Sequence, residues 1–161
     1  MLVSAAVRKA LLAGSLAIVV AGCGGTNKRL DPAVFRAKAD AVCPEAQVDA
    51  AKIESPKVDP TSPAISDAIL KRWAEPLRQL VKRYRTEVDD LHGLRPPADF
   101  DVPYKQALDE LGQALNKLDE AADAADRADQ PEVRSAIFAS DGFSHEANQI
   151  AVDYGLKVFG S

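Results

Sequence analysis

Soft metal ligands are scarce in this chain, which has two cysteines and two histidines in 161 residues. Cys23, Cys43, His92 and His145 are too scattered to give the paired spacings of a zinc site, and Gln149 stands where an H-E-x-x-H helix starting at His145 needs its second histidine. We therefore expect neither a metal nor any other cofactor. Catalytic signatures are missing too. No G-x-S-x-G surrounds a serine, and no glycine-rich phosphate loop follows a strand. Ser140-Asp141-Gly142-Phe143-Ser144-His145 contains Ser, Asp and His, but neighbours on one helix point in different directions and do not make a relay. The expectation is a protein that is not an enzyme. A formal charge of −4, with no basic arm and no aromatic stacking strip, argues against nucleic acid as a partner. Sustained period-two alternation is absent, which disfavours a sheet, and no repeat of 20 to 50 residues points to a solenoid.

The amino terminus carries the strongest signal. Arg8 and Lys9 precede an uncharged apolar run, Ala10 to Ala21, of 12 residues. A membrane span needs ~20. The polar, glycine-rich GCGGTNKR follows at once, so the segment reads as an export signal that is removed. Ala21 and Gly22 directly before Cys23 match the lipobox of bacterial lipoproteins, with Val20 in place of the commoner leucine. In that processing the Cys23 thiol takes a diacylglyceryl group, the chain is cut before it, and two or three acyl chains hold the product on the membrane at ~0.8 kcal/mol per buried methylene. The expected organisation is a signal peptide over residues 1–22, a lipidated tether over 23–30 and a helical domain over 31–161. The location implied is the outer face of the cytoplasmic membrane. Loss of Arg8 and Lys9, with no acidic residue, takes the charge from −4 to −6. The 139 residues left after removing 22 from 161 suit one domain.

Prolines punctuate that domain where helices can start, because proline in the first turn gives up a hydrogen that has no partner there. Asp31-Pro32, Ser62-Pro63, Asp101 ahead of Pro103, and Gln130-Pro131-Glu132 are the candidates. A first helix over Pro32–Ile53 would bury Phe35, Ala39, Val42, Ala46, Ala50 and Ile53, with a kink or break at Pro44. Glu54–Pro63, with three prolines, is a loop. A second helix over Ala64–Leu91 would bury Ile69, Trp73, Leu77, Leu80, Tyr84, Val88 and Leu91, bend at Pro76 and stop at Gly93. The third, Val102–Ala128, has a heptad seam of Tyr104, Leu108, Leu111, Leu115, Leu118, Ala122 and Ala125. The fourth, Glu132–Val158, presents Val133, Ile137, Ser140, Ala147, Ala151 and Tyr154. Short connections between such helices predict an all-α, mainly antiparallel four-helix bundle.

Charge is unevenly placed. Lys71, Arg72, Arg78, Lys82, Arg83 and Arg85 make the second helix basic. They can balance the third helix, whose end carries Asp119, Glu120, Asp123, Asp126 and Asp129, or form a surface for a partner or for anionic lipid headgroups. The acidic stripe lacks a loop that would wrap a cation and is expected to be a solvated face.

Three segments, FRAKADAVC at Phe35–Cys43, LRPP at Leu94–Pro97 and GLKVFG at Gly155–Gly160, together resemble a group of small helical lipoproteins and secreted proteins of actinobacteria. The resemblance covers most of the domain and implies a lipobox, a helical fold and an ending G-L-x-x-C-G, but no activity. Phe159 occupies the place of that final cysteine. The resemblance therefore leaves Cys43 without its crosslink, with Phe159 expected to pack on the Cys43 site instead. Cys43 is then a buried free thiol or pairs with another chain.

The function expected from these features is non-enzymatic: a lipid-anchored module meeting a protein or another envelope component. The alternative is a carrier or sensor with an apolar pocket near Trp73 and Tyr154.

Overall fold

The computed structural model describes residues 28–156, without the side chains of 43–49. Four long helices, α1 (Pro32–Ala50), α3 (Ala74–His92), α4 (Asp101–Asp126) and α5 (Gln130–Asp153), form the antiparallel bundle, and a short α2 (Asp67–Lys71) precedes α3. The α4 helix lies at the centre, with α3 and α5 packed along it and α2 touching it; α1 packs on α3.

Local chemistry accounts for the ends. Asp31 caps α1, its Oδ1 accepting from the Ala33 N–H at 2.9 Å, and Pro32 opens the helix as its sequence predicts. The helix is continuous through Pro44 and ends at Ala50, three residues before the expected Ile53. Asp129 caps α5 by accepting from the Glu132 N–H at 3.2 Å. Asp101 is not a cap: Phe100 holds that position and Asp101 falls in the first turn of α4.

Helices α4 and α5 end in the same motif. After α4, the Asp129 N–H donates to the Ala124 carbonyl at 2.9 Å and the Ala128 N–H to the Ala125 carbonyl at 3.0 Å. After α5, Leu156 and Gly155 bond in the same way to Ala151 and Val152. This Schellman arrangement requires a left-handed residue. Gly155, at φ +80°, takes it without strain, whereas Ala128 takes it at φ +57° with a Cβ that disfavours it.

The second predicted helix is corrected. Ser62-Pro63 starts a turn, in which the Ile65 N–H meets the Ser62 carbonyl at 3.2 Å, and helix begins only at Asp67. It then breaks at Arg72–Trp73. Pro76 is the cause: its ring would strike the carbonyl of Arg72 and it has no hydrogen to offer it. By restarting at Ala74, the chain places Pro76 in a first turn, where neither problem arises.

Burial follows a heptad across α2 and α3, but one partly shifted from the expected stripe: Leu70, Ala74, Leu77, Val81 and Leu91 are buried, while Ile69, Trp73, Leu80, Tyr84 and Val88 are half-buried. On α4 the predicted seam is inside, with Leu111 and Leu118 half-buried, and a second row of Ala107, Ala114, Ala121 and Ala124 is buried beside it. Two rows are needed because α4 has partners on two sides. Alanines in the second row let a neighbouring helix approach closely.

The core separates into two ends. Phe35, Ala39, Leu91, Phe100, Tyr104, Leu108, Ala151 and Leu156 form one cluster. Within it the Phe35 ring meets Tyr104 at 5.1 Å, Phe100 at 5.9 Å and Tyr154 at 6.1 Å, each edge to face, and Phe100 stacks on Tyr154 at 3.7 Å. The Tyr104 hydroxyl donates to the Leu91 carbonyl at 2.7 Å, which also accepts from the Leu94 N–H at 2.9 Å where α3 ends. At the other end Leu70, Ala74, Leu77, the alanines of the α4 C-terminal half, Val133 and Ala136 pack under Trp73 and Ile137. The Trp73 Nε1–H donates to the Val58 carbonyl at 2.9 Å, and the Gln130 side chain donates to the Ser62 carbonyl at 2.9 Å, so the 51–66 loop is held to that end.

Candidate functional site

The chain enters the bundle through a strap. The Leu30 N–H donates to the Arg95 carbonyl at 3.0 Å, and the Leu30 side chain packs on the aromatic cluster. Arg29 reaches the same corner, donating from Nη1 to the Pro96 carbonyl at 3.3 Å and pairing with Asp101 at 3.2 Å. Lys105, one turn into α4, meets Oδ2 of that carboxylate at 3.2 Å, the oxygen that Arg29 Nη2 also reaches at 3.3 Å. The hydrogen bonds from Arg29 and then Lys105 hold the Asp101 carboxyl below its ordinary range. The last residues of the predicted tether thus lie on the α3–α4 corner, made rigid by the buried Pro96 and Pro97.

Beside the strap is an open cleft of about 570 Å³, lined by Arg29, His92, Arg95, Asp101 and Lys105 over Tyr104 and Leu108. Three of these side chains are basic and one is a carboxylate. His92 is the exposed last residue of α3. Tyr154 lies elsewhere at this end. Burial, followed by the nearby Asp99 charge, raises the pKa of its phenol above the usual 10.0, so it stays neutral.

The six predicted basic residues divide. Arg78 bridges Asp123, at 2.9 Å, and Asp126, and Arg85 pairs with Asp119 at 2.6 Å. The two carboxylates, Asp126 first, raise the Arg78 pKa above its ordinary value. Lys71, Arg72 and Lys82 are exposed, the first two ahead of the break that starts α3, and Arg83 is half-buried one turn before Glu87. The acidic stripe is used in these contacts: Glu120 pairs with Lys117 at 2.7 Å and Asp129 caps α5. Among the described residues, no group of three or more His, Cys, Asp or Glu is placed to hold a metal ion.

A second cavity, about 270 Å³, lies mid-bundle between α3, α4 and α5. Leu111, Ala114, Leu115 and Leu118 floor it, and Tyr84, Glu87, Val88, Ser140, Asp141 and Ser144 wall it. Glu87 and Ser140 are both buried. Trp73 and Tyr154 do not share a pocket, because one begins α3 and the other follows α5, at opposite ends of the molecule. His145 is exposed and outside this lining, so Ser140, Asp141 and His145 are not brought together.

Sequence reasoning singled out neither Arg29, Arg95 and Lys105 nor the mid-bundle cavity. Cys23, Ala21 and Gly22, and the pairing of Phe159 with the Cys43 site, lie outside the described residues. Among the described residues, no helix is long and apolar enough to cross a membrane. Comparison with protein-family models, with curated proteins and with solved structures returned no match.

Proposed function

We propose that this protein is a lipid-anchored helical module at the outer face of the cytoplasmic membrane, where it meets a protein or another envelope component without acting as an enzyme. The observation that carries this reading is the strap. Cys23, the proposed acylation site, precedes Arg29 by six residues, which span at most ~20 Å when fully extended. With Arg29 and Leu30 bound to the α3–α4 corner, the lipid sits near the aromatic end of the bundle. The opposite end, with α2 and the 51–66 loop, then projects away by the length of α4, 26 residues or about 39 Å. A docked tether gives a preferred orientation, which a freely jointed one would not. The resemblance to small helical lipoproteins of actinobacteria supports the same reading.

The test is metabolic labelling with an alkyne fatty acid. Label should enter the wild-type chain and be absent from Cys23→Ser; equal labelling, or none in either, refutes the anchor. Crosslinking from Lys57 or Lys71 in intact envelopes then identifies the component that the outward end meets.

A second reading is favoured by the mid-bundle cavity. Its leucine floor with polar groups at the wall suits a small, mostly apolar ligand. Filling it with Ala114→Leu should abolish uptake of an apolar fluorescent probe while helicity is retained. Unchanged uptake would remove this reading.

A further inference from the structure

We propose that the cleft beside the strap holds the phosphate of an anionic membrane lipid, so that the corner that receives the tether also reads the headgroup. This deepens the anchor reading and rests on it. The lining brings Arg29, Arg95 and Lys105 around one cleft with a single carboxylate, Asp101, which Arg29 and Lys105 already engage. Arg95 is exposed, and its guanidinium offers the flat fork that matches phosphate oxygens in pairs. The volume, about 570 Å³, equals that of roughly twenty bulk waters, which leaves room for a phosphate and the polar group beyond it. His92 lies on the lining as a further donor.

Position identifies the source of the phosphate. Arg29 is both a wall of the cleft and the residue that leads to the proposed lipid, so the cleft opens within ~20 Å of the anchoring point. A diffuse pull toward an anionic surface is not expected. The chain carries a net negative charge, and Asp89, Asp90 and Asp99 are exposed at the same end. A preference for anionic lipid that falls with Arg95 and Lys105, and not with the exposed Lys71 and Arg72, is therefore the mark of the cleft.

The experiment uses residues 23–161 with Cys23→Ser, which keeps every described residue and carries no lipid. Its sedimentation with phosphatidylcholine vesicles, with and without phosphatidylglycerol, is measured at about 0.1 M salt, where charges act over about 10 Å. The chain should bind only the vesicles with phosphatidylglycerol. Arg95→Gln with Lys105→Gln should lower that affinity by about 25-fold, fivefold for each basic residue, with helicity unchanged. Lys71→Gln with Arg72→Gln, at the far end, should leave it nearly as it was. No preference for phosphatidylglycerol, or equal loss in both double variants, would overturn the proposal. Inorganic phosphate at millimolar levels should compete with the vesicles; phosphate that shifts the Arg95 resonances of a chain that ignores vesicles would refute the lipid source. A chain that binds vesicles but takes no label at Cys23 in cells removes the anchor and keeps the cleft. An acylated chain whose lipid-free form ignores vesicles does the reverse.

Discussion

Truncating Phe35 to alanine tests how α1 is held. The ring is fully buried and meets three other aromatic rings edge to face, joining α1 to α4 and to the end of α5. A buried Phe→Ala change costs ~3–5 kcal/mol from lost transfer energy and the cavity left behind. Against a total stability of roughly 5–15 kcal/mol, that is a large share. For the 129 described residues an unfolding entropy of ~2.1 cal/mol/K per residue gives ~270 cal/mol/K, so a ~4 kcal/mol loss lowers Tm by ~15 °C. Phe35→Leu keeps most of the apolar volume and should lose far less. Phe138→Ala is the control, since Phe138 is 56 % exposed and should change stability by ~0.5 kcal/mol or less. Thermal melts followed by circular dichroism read all three. A Tm drop of less than ~4 °C in Phe35→Ala, or a drop no larger than that of Phe138→Ala, would refute the packing described for this end.

Other outcomes follow from single residues. Ala128→Gly relieves the left-handed backbone after α4 and should stabilise the fold by ~0.5–1 kcal/mol, read as a raised denaturant midpoint at constant m. Asp129→Ala removes the cap of α5 and should cost ~1 kcal/mol by the same measurement, with Asp129→Asn nearly neutral. The Asp101 carboxyl has a lowered pKa in the fold, so its contribution to the strap is complete above the unfolded carboxylate value near 3.9 and disappears as pH falls through the lower folded value. An NMR titration of the Leu30 amide should therefore stay flat from neutral pH to about 4 and move only below it, whereas Asp101→Asn should displace that amide at every pH.

The fold class was legible because patterns confined to one helix carry it. Asp31-Pro32 and the heptad from Tyr104 to Ala125 act over a few residues, and both are found in place. The second predicted helix differs from the observed α2 and α3 for an equally local reason. Pro76 is visible in the sequence, but a proline can bend a helix or sit in its first turn, and what distinguishes these is whether the residues before it can break away. In the broken form Leu70 is buried, and Trp73 packs on the same cluster and donates to a carbonyl of the 51–66 loop. The second row of α4, Ala107, Ala114 and Ala121, has its own seven-residue spacing, but alanine is so common in helices that the row signals nothing until two neighbours are known to flank it. The strap was invisible because Arg29 and Asp101 are 72 positions apart, and a pair between exposed charges leaves no periodic trace. Arg78 and Arg85 were easier to place, since facing helices of opposite charge predict such contacts even where the partner atoms do not.

Energy transfer from two labelled positions to an acceptor in the bilayer measures the orientation proposed for the protein on the membrane. In a Cys43→Ala background, a fluorophore at Ala98, on the α3–α4 corner, and one at Lys57, in the loop held at the far end, report the two ends of the acylated protein in native membranes. The strap predicts strong transfer from Ala98 and weak transfer from Lys57, a separation set by the ~39 Å length of α4. Equal transfer from both positions, or stronger transfer from Lys57, would contradict it.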